Sequence, residues 1–300
     1  MNRPALSGHT RVVGVIGDPV AHSLSPTLHN AAFEALGLDW VYVAFPVARG
    51  RGAAAVAAVS ALGLAGLNVT MPHKEDVAGA CDELTADAAA LRSVNTVVAT
   101  AGGRTLGDST DGPGFLDALA DEGIAVDGRP VLVLGAGGAA RAVVLALGRA
   151  GATVTVAARR PDAAESAAAL APGARAVPIG ALVGPRAGTA TGGSALRPSA
   201  GAVDPAAFSV IVNATPLGMS GGDPLPVDPE SLHPDHSVVD LVYHPADTPL
   251  LAAARAQGAT AVNGLGMLLH QAARSFTLWT GEPAPVDAMR AAVTAALAAR

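Results

Sequence analysis

The stretch that most restricts the fold runs from residue 131 to residue 156. Val131-Leu132-Val133-Leu134 is a short apolar run that reads as a buried strand. It passes directly into Gly135-Ala136-Gly137-Gly138-Ala139-Ala140-Arg141, then a helical stretch to about Arg149, then a second apolar run from Thr153 to Val156. A strand, a glycine-rich turn, a helix and a parallel strand in this order make the unit that cradles a dinucleotide pyrophosphate. Gly135 supplies the tight turn, Gly137 lets the pyrophosphate approach the backbone, and Ala140 lets the helix pack closely. The pattern implies a Rossmann-type domain.

The second strand ends in Ala157-Ala158-Arg159-Arg160. An NAD site usually places a carboxylate there for the ribose 2′-hydroxyl. Two guanidiniums instead suit a 2′-phosphate through charge-assisted bidentate contacts, so NADP(H) is the expected cofactor. Asp162 and Glu165 fall later and belong to the next helix. Asn213 and Thr215 close another apolar run, at a strand's carboxyl end where the nicotinamide half would lie.

The other stretch that carries chemistry is Gly66 to Lys74. Lys74 is the only lysine in 300 residues, against eighteen arginines. Arginine stays charged at any accessible pH, whereas a lysine can exchange its proton once its surroundings move its pKa. A lone lysine in such a chain is either a chance surface charge or a titratable amine that the site needs. A strand over Ala65–Val69 delivers Asn68 and Thr70 to its end, and Pro72 leads into a helix near Lys74. Ser93–Val98 reads as a strand with Asn95 inside an apolar run, where a bare amide costs about 1–3 kcal/mol. Residues 107–114 read as a turn-rich boundary, with a helix from about Phe115 to Glu122. Asp111 either faces a cleft or caps that helix.

Nearer the start, a strand over Val12–Ile16 leads to Ser23 and to Ser25-Pro26. Ser25 reads as a helix cap with proline at the first helical position, and the turn suits an anionic group. Leu84–Leu91 is expected to be helical. Residues 183–206 read as an insertion or extended loop. The helix expected over Leu265–Trp279 places Met267 and Gln271 one turn apart on one face.

Composition narrows the remaining classes. A net charge of -6 without basic clusters argues against nucleic acid. No apolar run reaches the ~18 residues of a membrane span, and the N-terminus lacks a signal-peptide core, so a cytoplasmic protein is expected. Cys81 stands alone, without metal-ligand spacing, and reads as a buried apolar residue; no metal is expected.

Taken in order, these blocks resemble the shikimate dehydrogenase family over nearly the whole chain. The substrate half is carried by His22-Ser23-Leu24-Ser25-Pro26 with His29-Asn30, by Asn68-Val69-Thr70 with Pro72 and Lys74, and by Asn95-Thr96. Asp111-Gly112, Gly135–Arg141, Asn213–Met219, Tyr243 with Thr248–Leu251, and Gly264–Gln271 supply the rest.

The resemblance implies two α/β domains. One, of residues 1–112 and 264–300, is mainly parallel and binds substrate; C-terminal helices return to it. The other, of residues 113–263, is the Rossmann-type NADP domain. The implied reaction is NADPH-dependent reduction of 3-dehydroshikimate to shikimate, on the route to chorismate and the aromatic amino acids, by a monomer or homodimer.

Lys74 and Asp111 would be the catalytic pair. Ser23 and Ser25 would hold the substrate carboxylate, with Tyr243 closing over it. Asn68, Thr70, Asn95 and Gln271 would bind ring hydroxyls or position their neighbours. Gly135, Ala136, Gly137, Gly138, Ala139, Arg159, Arg160, Asn213, Thr215, Gly264 and Met267 would bind the dinucleotide. One departure stands out: the family often has Asn-Arg-Thr where this chain has Ala158-Arg159-Arg160. The alternatives are a quinate/shikimate dehydrogenase using NAD, an aminoshikimate enzyme, and a non-catalytic relative that senses shikimate and NADP. The last would have lost the lysine or the aspartate, and this chain keeps both.

Overall fold

The computed structural model describes residues 6–182, 202–220 and 222–299. The expected insertion over 183–206 therefore lies largely outside the described residues. At its far edge, Val203 bridges to Leu182 and the Asp204 side chain accepts from the N–H of Ala206. The chain forms two compact units, Met1–Gly114 with Leu268–Arg300, and Phe115–Met267.

The first unit opens with β1 (Arg11–Gly17), α1 (Ser25–Ala35), β2 (Trp40–Pro46), α2 (Gly52–Ala61), β3 (Gly66–Val69) and α3 (Lys74–Ala78). It continues with β4 (Glu83–Leu84), α4 (Ala86–Leu91), β5 (Thr96–Ala99) and β6 (Thr105–Asp108), and reaches the start of α5 (Asp111–Asp121). Its sheet has the order β2-β1-β3-β5-β6-β4. Only β5 runs antiparallel to its neighbours; the other pairings are parallel.

Side chains alternate across this sheet and fill two layers. Ile16, Leu67, Val69 and Val97 pack with Val56 and Val59 of α2 and Val77 of α3. An aromatic cluster of His29, Phe33, Trp40, Tyr42, Phe276 and Trp279 forms separately.

The second unit holds β7 (Pro130–Leu134), α6 (Gly138–Arg149), β8 (Thr153–Ala158), α7 (Pro161–Ala168), β9 (Arg175–Pro178) and β10 (Val210–Asn213). β11 (Ser237–Asp240), α8 (Pro249–Ala256) and β12 (Thr260–Val262) complete its elements before α9 (Leu265–Thr280) and α10 (Val286–Ala298). The sheet is wholly parallel, in the order β12-β11-β10-β7-β8-β9. Its central strands are buried on both faces, as parallel strands covered by helices must be. Val131 and Val133 point into one core with Val143 and Leu147 of α6, while Leu132 and Leu134 point into another with Leu250 and Leu251 of α8.

Several boundaries differ from the sequence reading, each for a local reason. Ser25 is not a cap: α1 starts at Ser25, its N-cap residue is Leu24, and no side chain caps it. Ser23 does the turn's work instead, its Oγ accepting the Ser25 N–H at 3.2 Å. The stretch Leu84–Leu91 is split, because Thr85 caps α4 through the Ala88 N–H and leaves Glu83–Leu84 as a strand. The strand expected from Ser93 begins only at Thr96, after Arg92 takes a left-handed conformation with φ 50°.

The apparent turn at 107–114 is the end of β6 followed by the first turn of α5. Pro113 sits where a helix tolerates proline, because the first N–H groups lack partners there. Cys81 is half-buried rather than fully enclosed.

Candidate functional site

Lys74 is the first residue of α3, and Asp111 is the first residue of α5. The Lys74 Nζ donates to Asp111 Oδ2 at 2.6 Å, with the two side chains 23% and 13% exposed. Both are shielded yet reachable from solvent. Asn95, at the entry to β5, is 4% exposed and fixes the other carboxylate oxygen. Its orientation is set by its neighbours. The Thr110 backbone N–H can only donate, so Asn95 Oδ1 must face it, at 2.8 Å. Asn95 Nδ2 therefore faces Asp111 Oδ1, at 2.7 Å. A charge-assisted bond of this kind is roughly twice as strong as a neutral one. The carboxylate is held at both oxygens, and the amine is held by the carboxylate.

Asn68 lies one layer behind. Its Nδ2 must face the Asn95 carbonyl, which can only accept, at 3.1 Å. Asn68 Oδ1 then takes the Tyr42 hydroxyl at 2.7 Å. Burial pushes the Tyr42 pKa up, with the Ser25 hydroxyl opposing, so the phenol stays protonated and donates. The Asn68 amide is thus spent inside the unit and supports Asn95 rather than offering a group to a ligand. Asn30 does similar work at the surface of α1, donating to Tyr42 O at 2.8 Å and accepting the Tyr42 N–H at 3.0 Å.

Ser23, Ser25 and Thr70 are half-buried at the carboxyl ends of β1 and β3. Gln271 is half-buried on α9, where its Nε2 donates back to Leu268 O at 2.8 Å. Gly114 of α5 packs against the Gln271 backbone, and a Cβ there would lie 2.5 Å from Gln271 N. That close approach ties the helix bearing Asp111 to the helix bearing Gln271.

In the second unit the glycine turn follows β7. Gly135 has φ +110°, and a Cβ there would meet Ala214 O at 2.8 Å, so both conformation and space demand glycine. Gly137 is different. Its φ of -77° suits any residue, and a Cβ there would meet nothing within 4 Å. Nothing among the described residues explains a glycine at this exposed position, whereas an approaching pyrophosphate does. Gly137 is also the N-cap of α6 and gives it no side-chain cap, which leaves the helix's first N–H groups to an anion. Arg159 and Arg160 stand exposed at the end of β8. These features fit a 2′-phosphorylated dinucleotide.

Asn213 is fully buried, donating to Asp240 at 2.9 Å and to Leu217 O at 3.1 Å, while its Oδ1 takes the Thr215 hydroxyl at 2.6 Å. It shapes the turn that presents Thr215, and its side chain is not available to a ligand. Burial raises the pKa of Asp240, against bonds from Thr248, the Val242 N–H and Asn213. This carboxylate also receives Thr248 at 2.7 Å, joining the Thr215 turn to the segment that carries Tyr243.

Asp240, Thr96, Thr110 and Ser275 escaped the sequence reading as site residues. An aspartate closing the apolar run Val238-Val239 was the available signal for the first. Gly264 is buried, and a Cβ there would lie 2.1 Å from Leu241 O, so that position answers to packing. Met267 is half-buried against the second unit's core. Burial pushes the Cys81 thiol up to about 11, away from the thiolate form a nucleophile needs. Among the described residues no cluster of side chains could hold a metal ion, and no helix is long and apolar enough to cross a membrane.

A parallel unit with a glycine turn, together with a unit built around an ion-paired lysine, defines a two-unit α/β dehydrogenase. Family models described as the shikimate dehydrogenase substrate binding domain and the shikimate 5'-dehydrogenase C-terminal domain match residues 15–97 and 264–294. A shikimate dehydrogenase (NADP(+)) from Geobacter sp. (strain M21) is 45% identical over 294 residues, 98% of each chain.

The structure of shikimate 5-dehydrogenase from Thermus thermophilus, in complex with NADP(H) and shikimate, is 36% identical with a TM-score of 0.82. It covers 95% of this chain and 99% of its own. A quinate dehydrogenase from Corynebacterium glutamicum in complex with NAD is 31% identical with a TM-score of 0.81, over 95% of this chain and 99% of its own. The chain belongs to the shikimate dehydrogenase family.

Proposed function

We propose that this protein interconverts 3-dehydroshikimate and shikimate with NADP(H), as a cytoplasmic enzyme of aromatic biosynthesis. The observation that carries the reading is the Lys74–Asp111 pair, held at 2.6 Å with the carboxylate clamped by Asn95. Bound NADPH supplies the hydride. Reduction of a ring carbonyl leaves an oxygen that needs a proton, and Lys74 Nζ is the group to provide it in reduction and remove it in oxidation. Asp111 keeps the amine oriented and balances its charge. Ser23 and Ser25 hold the substrate carboxylate, Thr70 and Gln271 its ring hydroxyls, and Tyr243 closes the substrate end.

The unit of residues 1–114 with 268–300, a few residues off the expected 1–112 with 264–300, acts as the substrate domain, and 115–267 as the nucleotide domain. Gly135–Ala139 cradle the pyrophosphate, Arg159 and Arg160 grip the 2′-phosphate, and Thr215 borders the nicotinamide.

A second reading, quinate oxidation with NAD, shares the fold with the quinate dehydrogenase above, so only particular residues separate the two. Arg159 and Arg160 favour NADP. Ser25, in place of a bulkier threonine, favours shikimate. Initial rates at the nicotinamide absorbance band, crossing shikimate and quinate with NADP and NAD, test the proposal. Strong activity is expected only with shikimate and NADP; turnover of quinate with NAD at a similar rate would overturn it.

A further inference from the structure

We propose that Ser275 is a positioning residue for this reaction, an inference that rests on the roles given above to Lys74, Asp111 and Gln271. Ser275 lies on α9, one turn beyond Gln271, and is 0% exposed. Its Oγ lies 3.0 Å from Gln271 O, 3.0 Å from Asn68 Nδ2, 2.8 Å from Thr96 Oγ1 and 3.3 Å from Thr110 Oγ1. These four neighbours come from α9, β3, β5 and the residue preceding Asp111. One hydroxyl therefore joins the helix bearing Gln271 to the strands bearing Asn68 and Thr96, and to the entry of the helix bearing Asp111.

The hydrogens assign a direction to this junction. Asn68 Nδ2 can only donate, and Gln271 O can only accept. Ser275 thus accepts an Asn68 N–H and shares its own single hydrogen between Gln271 O and Thr96 Oγ1. Thr96 in turn donates to Asn95 Oδ1 at 3.1 Å, the amide that clamps Asp111. A serine in mid-helix that bonds back four residues gives the helix nothing it lacks. The bonds to Asn68, Thr96 and Thr110 are what it adds. Gly114 against the Gln271 backbone shows how tightly the same crossing is packed. Without the hydroxyl, α9 can slide against Thr110, and the aim of Gln271 relative to Lys74 and Asp111 loosens.

The network also shows why removal should leave a folded protein. Asn68 Nδ2 keeps Asn95 O and Thr96 Oγ1 as acceptors for its two hydrogens. Thr96 and Thr110 keep Asn95 Oδ1.

The test is steady-state kinetics of Ser275→Ala and Ser275→Cys beside the wild-type enzyme. The cysteine variant preserves the packing while bonding only weakly. Small misplacements of reacting groups are costly, so kcat for shikimate oxidation should fall roughly tenfold while KM for NADP stays within about twofold. If the alanine variant does not fold, the cysteine variant decides. A folded variant with kcat close to wild type would overturn the inference. So would a loss of kcat matched by an equal rise in KM for NADP, the mark of general damage. An inactive wild type would instead overturn the proposed function, so the two failures are distinguishable.

Discussion

In the first unit the polar side chains of the site are spent on one another, whereas the second unit presents bare backbone around glycines. Lys74, Asp111, Asn95, Asn68, Thr96, Thr110 and Ser275 form a continuous set of bonds in which each amide has one possible orientation. Gly137 has open space around it, and α6 lacks a side-chain cap. Proton transfer needs groups fixed against each other before the substrate arrives. Pyrophosphate binding needs donors with nothing in front of them. The contrast teaches that the first region resists change because its members depend on one another. The second tolerates change in the empty protein and should reveal its purpose only when the dinucleotide binds.

Asn95→Ala should break this comparison hardest. It strips a charge-assisted donor from Asp111, and kcat should fall by about 10–100-fold, with NADP affinity unchanged by titration calorimetry. Gly137→Ala sharpens the other side. The free protein should melt as wild type does, while NADP affinity drops by about tenfold or more, because the methyl occupies the space of the pyrophosphate. Equal losses of stability and affinity would remove the special role of that glycine.

Arg159→Ala should raise KM for NADP by about tenfold while leaving KM for NAD little changed, since only the former carries the 2′-phosphate. The smallest effect concerns stability. His29 is fully buried, stacked on Tyr42 at 4.4 Å, and among the described residues neither ring nitrogen has a hydrogen-bond partner. Burial lowers its pKa from 6.5 to about 3, with Asn68 opposing. Below pH 6.5 the unfolded chain binds a proton that the folded ring refuses, so His29 costs stability as pH falls toward 3. Between pH 7 and pH 5 the wild type should lose about 2 kcal/mol more than His29→Leu in urea denaturation.

The second unit was more legible in the sequence than the first, for a physical reason. A glycine turn between a buried strand and a helix is a local arrangement, and each residue type answers to a backbone demand within a few positions. β7, α6 and β8 follow directly from it. Lys74 was legible through its rarity and through the Asn68-Val69-Thr70-Met71-Pro72 run that leads to it, not through any backbone demand. The hydroxyl network was not legible, because Thr96, Thr110 and Ser275 are ordinary residue types. Their partners lie as far apart in sequence as Asn68 and Ser275. Asn68 was expected either to bind a ring hydroxyl or to position its neighbours, and its buried bonds give it the second role, while the Asn213 side chain, expected beside the dinucleotide, is consumed by buried partners. The start of α5 was hidden by Pro113, which reads as a turn residue until the first helical turn is seen to accept it.

The claim on which the rest depends is that Lys74 handles the proton within a site whose binding groups lie elsewhere. The direct measurement is turnover of Lys74→Ala with shikimate and NADP, taken alongside the affinity of the same preparation for shikimate. General acid–base catalysis predicts that kcat falls by about 10²-fold or more while shikimate affinity stays within about tenfold. Near-normal turnover in the variant would contradict the account and remove Lys74 from the chemistry.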